Sequence, residues 1–441
     1  MANWKDVLIN LVSDVEDHYD LLKYRLRERL GGRDPIQILP YRGYGSQETL
    51  YLKGRVLEDK DIQSATESHT VWDNLVNMYK RFNSKEIPYA RVLATFDGAR
   101  QQVVSDIEGF FEVYIEPPEP LPTDRLWHTI NLELLQPVRD GRPPVTAEGH
   151  VLVPPPDAEF GVISDIDDTV LPTDATHLLN MARTVFLGNA RTRLPFKGAA
   201  AFYRALMRGR QGRVTNPLFY VSSSPWNIYD LLADFFNIQD IPLGPVLFLR
   251  DWGLTEEELL PVKHKRYKME TIQNILDTYP DLPFILIGDS GQEDPEIYYE
   301  VVRTYSDRIL AVYIRNVRRR LWRADEIRTL AEEVIEAGST LILADDTYTL
   351  AQHAVEKGWI SPESLPEIKA EKELDEGPPT PIEKLLGEEE KEEGPTIVIN
   401  GESPQETKQA VERGAIEESL DEGDKDSQGP PKVIVDGEED N

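Results

Sequence analysis

Three consecutive prolines, Pro154-Pro155-Pro156, divide a chain whose hydrophobic pattern changes period across them. Upstream, short runs of alternating apolar residues are separated by turn dipeptides such as Asp97-Gly98, Glu108-Gly109 and Asp140-Gly141. Alternation at period two buries one face of each strand. It predicts strands at Leu50–Leu57, Tyr89–Phe96, Phe110–Ile115, Thr129–Leu135 and His150–Val153, with an amphipathic helix intervening near Val71–Phe82. Downstream, continuous apolar runs alternate with helical stretches: Phe160–Ser164, Leu218–Ser222, Val246–Leu249, Phe284–Ile287, Ile309–Ile314 and Thr340–Leu343. A continuous run is buried on both faces, and strands joined by helices lie parallel. The proline triplet is a stiff spacer between the two patterns. The chain therefore predicts a small all-β sandwich or barrel over 39–153 and an α/β Rossmann-like domain over 154–360.

Ligands of such parallel sheets collect at the carboxyl ends of the strands, so the residues after each apolar run carry the information. The first run empties into Asp165, Asp167 and Asp168. Carboxylates this close repel one another unless a cation lies between them; an Asp-rich structural turn is the alternative. The second run ends in Ser222, Ser223 and Ser224, ahead of a helix near Ile228–Phe235. Hydroxyls at a helix start seat a phosphate or simply cap the helix. A third element, Lys263-His-Lys265-Arg-Tyr-Lys268, opens a helix running to about Leu276 and offers a cation for a phosphoryl group. The fourth run empties into Asp289, Glu293 and Asp294, with Gly288 and Gly291 freeing the loop. Asp289 is expected to reach the same cation as Asp165, and hard oxygen donors make Mg2+ the expected ion. A further run, Leu341 to Ala344, ends in Asp345 and Asp346; it lacks the DxDxT spacing, and Asp345 or Asp346 is read as the cap of a helix near Tyr348–Lys357.

Composition removes other chemistries. There is no cysteine, which excludes disulfides, thiolate metal sites and thiol nucleophiles, and the seven histidines are scattered. A formal charge of −31 argues against a nucleic-acid partner. The last 81 residues carry 25 acids against 8 bases and no aromatic side chain, so 361–441 is expected to be a disordered acidic tail with a protein partner that the sequence does not identify. Within it, GPTIVINGE at 394–402 and PPKVIVDGE at 430–438 repeat a β-branched island before a turn, a pattern suited to strand addition on a partner. The first 38 residues carry an apolar stripe at helical spacing, Trp4, Leu8, Leu11, Val15, Tyr19, Leu22 and Leu26, and are expected to form an amphipathic helix. Acidic residues replace the apolar core of a signal peptide there, and no stretch is long and apolar enough to span a membrane. A cytoplasmic protein is the expectation. The Arg315–Arg323 segment, with five arginines around Trp322, suits peripheral contact with an anionic membrane.

In their order, the four strand-end motifs resemble the haloacid dehalogenase superfamily of aspartate-nucleophile phosphatases. Asp165, Asp167 and Thr169 match its DxDxT motif, and Ser222 its second motif. Lys268 matches the third, with Lys265 as the alternative. Gly288, Asp289 and Asp294 match the fourth, with Glu293 as the shorter-spaced alternative. The longer strings SDIDDTV, YVSSSPW and LIGDSGQEDPE, behind an all-β region, look like the actin-patch-type phosphatidate phosphatase family, whose catalytic domain is similar to that of the lipins. The resemblance covers roughly Phe160 to Val317. It implies a Mg2+-dependent lipid phosphatase with Asp165 as nucleophile and Asp167 as acid/base. Thr169, Ser222, Ser223 and Lys268 would hold phosphate, and Asp165, Asp167, Asp289 and Asp294 would hold the metal. The competing readings are a non-catalytic lipid-phosphate binder, disfavoured because both Asp165 and Asp167 are kept, and a phosphatase of soluble monoesters.

Overall fold

The computed structural model describes residues 35–58, 85–138, 143–166, 198–226, 229–250, 261–316 and 321–376. The expected amino-terminal helix up to residue 34, the helix near Val71–Phe82, residues 317–320 of the arginine cluster and both tail islands lie outside them. The chain divides between Pro155 and Pro156 into two compact units.

The first unit is built from β1 (Ile36–Pro40), β2 (Gly43–Gly45), β3 (Leu50–Glu58), β4 (Arg91–Phe96), β5 (Ala99–Val104), β6 (Phe110–Ile115), β7 (Trp127–Gln136) and β8 (Thr146–Leu152). They form one sheet in the order β1-β3-β2-β8-β7-β4-β5, with β6 also on β3. All pairs are antiparallel except β2 with β8. On β7, Ile130, Leu132 and Leu134 are buried while Thr129, Asn131 and Glu133 face out, as period two requires. Inward residues of β1, β3, β4, β6, β7 and β8 share a single apolar cluster, so the sheet curls about its own inner face. The unit begins at Ile36, three residues before the expected boundary. β5 escapes a hydrophobic-pattern reading because it is a polar edge strand, ARQQVV; it is placed by the Asp97-Gly98 turn, both of whose residues have positive φ.

The second unit alternates strand and helix: β9 (Gly161–Asp165), α1 (Ala199–Arg208), β10 (Leu218–Pro225), α2 (Tyr229–Gln239), β11 (Val246–Arg250), α3 (Pro261–Thr278), β12 (Phe284–Asp289), α4 (Asp294–Thr304), β13 (Ile309–Arg315), α5 (Leu321–Glu336), β14 (Leu341–Ala344), α6 (Thr347–Glu356) and α7 (Leu365–Glu376). The sheet order is β11-β10-β9-β12-β13-β14 and every pair is parallel. β9 and β12 are buried along their whole lengths, as central strands covered on both faces must be. Strand order runs outward from β9 on one side and restarts with β12 on the other. That reversal opens a crevice between the carboxyl ends of β9 and β12, where sheets of this kind bind ligands. Among the described residues no helix is long and apolar enough to cross a membrane.

One boundary needs correction. The expected disordered tail does not begin at Ser361. Ser361 caps a 3-10 turn at Pro362–Ser364, and α7 follows it. Ile368 of α7 is buried, Arg204 of α1 pairs with Glu367 at 2.9 Å and Glu371 at 2.7 Å, and Lys372 pairs with Asp346 at 3.0 Å. Glu371 also accepts the Ala201 amide in the first turn of α1 at 3.1 Å. Charge averaged over 81 residues hid one helix whose acids have basic partners on the sheet-covering helices.

Candidate active site

Asp165 is the last residue of β9 and Asp289 the last of β12, neighbouring parallel strands. The register sets Ile287 opposite Ser164, so both strands deliver their terminal carboxylates to one sheet edge. Asp294 opens α4, where a carboxylate is favoured by the helix dipole, and Pro295 fixes the first turn. One oxygen from each of Asp165, Asp289 and Asp294 lies within 4.8 Å of the others. All three are buried, at 1%, 0% and 0% exposure.

Lys268 enters this cluster from α3 and is itself buried. Its Nζ donates to Asp165 Oδ1 at 2.6 Å and to Asp294 Oδ1. Burial alone would lower the lysine's pKa. The charges of Asp165 and Asp294 outweigh that and hold it well above the ordinary value, so the ammonium stays charged. Asp294 Oδ2 accepts the Asp289 amide at 3.2 Å, so this one side chain ties the lysine to the end of β12. Asp289 Oδ1 accepts the amides of Gly291 and Gln292 at 2.5 and 3.1 Å, which closes the loop around its carboxylate. Gly288 is required here: a Cβ would fall on Asp294 Oδ2 and within 2.8 Å of the Tyr298 ring.

Three buried carboxylates gather around one ammonium. Carboxylates this close repel one another, and a divalent cation would offset that repulsion. The donors are all oxygen, and among the described residues no histidine joins the grouping; the chain has no cysteine. That donor set fits magnesium and is unsuited to a soft metal.

The other expected residues are placed as follows. Ser222 is buried on β10, one position beyond Val221, which is in register with Asp165. Ser223 lies on β10, its side chain outside the description. Asp167 and Thr169 lie outside the described residues. Of each pair of alternatives, Lys268 and Asp294 reach the cluster; Lys265 is half-buried elsewhere on α3, and Glu293 is exposed at the N-cap of α4. Asp346 caps α6 by accepting the Thr349 amide at 2.9 Å, as expected. Asp345 accepts from Asn316 Nδ2 at 2.8 Å.

Three participants are absent from the sequence reading. Tyr298 donates to the Ile287 carbonyl at 2.9 Å beneath the cluster. Burial first, then the charges of Asp294, Asp165 and Asp289, push its pKa far up and keep it neutral. It stands four residues after Asp294, on the same helix face, so helical spacing was an available signal. Ser164 and Tyr203 hydrogen-bond at 2.9 Å across 39 residues of chain, and no local pattern announces them.

The family described as "Phosphatidate phosphatase APP1, catalytic domain" matches residues 160–316, a stretch that holds every member of the cluster. Phosphatidate phosphatase APP1 of Saccharomyces cerevisiae is 32% identical over 196 residues, covering 44% of this chain and 32% of that protein. Uncharacterized protein C29B5.04c of Schizosaccharomyces pombe is 27% identical over 159 residues, covering 36% of this chain and 25% of that protein. The chain thus matches a third or less of the length of these relatives. Among solved structures, a carbohydrate acetylesterase from Xanthomonas citri overlaps 61% of this chain and 65% of its own at 12% identity; its TM-score of 0.21 carries no argument. Residues 160–316, with the aspartate–lysine cluster at their central strand ends, are thus the part of this chain that is similar to the APP1-type phosphatidate phosphatase catalytic domain.

Proposed function

We propose that this protein is a magnesium-dependent phosphatidate phosphatase of the haloacid dehalogenase type, releasing diacylglycerol and inorganic phosphate through an aspartyl-phosphate on Asp165. The observation that carries this reading is the buried Asp165–Lys268–Asp294–Asp289 cluster at the β9/β12 strand ends, inside the stretch shared with the family.

Asp165 attacks phosphorus in line; its bond to phosphorus forms as the bond to the glycerol oxygen breaks. Lys268, charged and already on Asp165, offsets the negative charge gathering on the phosphoryl oxygens. Asp294 keeps that ammonium in place and secures the Asp289 amide. Asp167 gives its proton to the departing alkoxide and then takes one from the water that cleaves the acyl phosphate. Ser222, Ser223 and Thr169 hold the remaining oxygens. A magnesium ion held by Asp165, Asp167, Asp289 and Asp294 would supply Lewis-acid charge for the transferring phosphoryl group. A membrane-borne substrate calls for peripheral contact with an anionic bilayer, to which the Arg315–Arg323 segment contributes positive charge.

The test is phosphate release from phosphatidate in detergent micelles and from soluble monoesters, each with Mg2+ or with chelator. Mg2+-dependent release with preference for phosphatidate is expected. Preference for the soluble esters, or release undiminished by chelation, would overturn the reading.

A further inference from the structure

Strand alternation points Ser164 to the face of β9 opposite Asp165. There its hydroxyl lies 2.9 Å from Tyr203 Oη of α1, and it also donates to the backbone carbonyl of Asp165 at 2.9 Å. A serine hydroxyl has one proton, and a carbonyl only accepts. The direction is therefore fixed: Tyr203 donates to Ser164, and Ser164 donates to Asp165 C=O. The other end of the same peptide is held too, because the Ile166 amide donates to Val221 O at 3.1 Å. Both groups of the Asp165–Ile166 peptide are thus restrained where the chain leaves the sheet toward Asp167. Tyr203 is fully buried and packs edge-on against Tyr220 with ring centroids 6.2 Å apart, so its hydroxyl has little freedom to leave.

We propose that Tyr203 is a positioning residue for Asp165, acting through Ser164 to set the Asp165–Ile166 peptide and so the aim of the nucleophile. The inference rests on the phosphatase reading given above. It makes Ser164 and Tyr203 one functional unit that approaches Asp165 from behind.

The test uses the full chain with Tyr203→Phe, Ser164→Ala and the double variant. Each single change should lower kcat for phosphatidate about tenfold, the scale of one lost buried hydrogen bond, with KM held within about twofold. Because the two hydroxyls act in series, the double variant should be no slower than the worse single one. Additive losses, or a change confined to KM, would overturn the proposal. Hydrogen exchange supplies a readout independent of turnover. The Ile166 amide should exchange faster in both variants, while the Val162 amide, bonded to Pro217 O at 2.9 Å on the same strand, keeps its protection. Unchanged Ile166 exchange would overturn the relay. Should the unsubstituted chain release no phosphate, the phosphatase reading falls, and exchange alone decides whether the relay restrains the peptide.

Discussion

At the end of β12 an apolar run gives way to Asp289, which joins a buried cluster with two other carboxylates and a lysine. At the end of β14 an equally apolar run gives way to Asp345 and Asp346, and these serve packing, one bonded to Asn316 and the other capping α6 and pairing with Lys372. The strands belong to one sheet, and the residues are of one type. What differs is the neighbour. β12 lies against β9 at the reversal of strand order, so a second carboxylate arrives from the adjacent strand end. Among the described strands β14 is the sheet edge, paired with β13 alone, and its carboxylates are taken up by the Asn316 side chain, a helix amide and Lys372. Strand order, more than local motif, decides whether an acid at a strand end joins a buried carboxylate cluster.

Substitutions at the two ends test this contrast. The largest effect belongs to the central strands: Asp165→Asn should lower phosphate release at least about a thousandfold while melting stays cooperative, since Lys268 keeps Asp294 as a partner. Appreciable turnover in a pure preparation would break the nucleophile assignment. Next, Gly288→Ala should displace Asp294 and Tyr298, and a misplacement approaching 1 Å costs about a hundredfold in rate. An unaltered rate would show that the end of β12 tolerates the displacement. The smallest effect belongs to the edge: Asp346→Ala should cost about 1 kcal/mol in denaturant unfolding through the lost cap, with phosphate release kept. A large loss of activity there would erase the contrast between the two ends.

Much of this was legible beforehand. The strand runs and their acidic exits place Asp165, Asp289 and Asp294 because a parallel sheet must collect its functional groups at one end. The choice of Lys268 over Lys265 needed the structure: both stand on α3, three residues apart, and only the packed helix shows which one turns inward. Glu293 and Asp294 separate in the same way at the start of α4, where the first residue is buried and its predecessor is exposed. The β5 edge strand was hidden because its glutamines carry no apolar alternation. Helix α7 was hidden because composition averages over a segment, whereas docking depends on a few side chains such as Ile368 and Glu371.

That docking has a consequence for how the chain can be cut into pieces. The recognisable family stretch stops at residue 316, at the end of β13. A fragment ending there would leave the outer side of β13 without β14, an open strand edge ready to pair with other chains. It would also strip Arg204 of Glu367 and Glu371 and leave the first turn of α1 without the carboxylate that accepts its amide. Sequence relatedness and packing therefore draw different boundaries on this chain, and a fragment that keeps these contacts extends through α7 to Glu376.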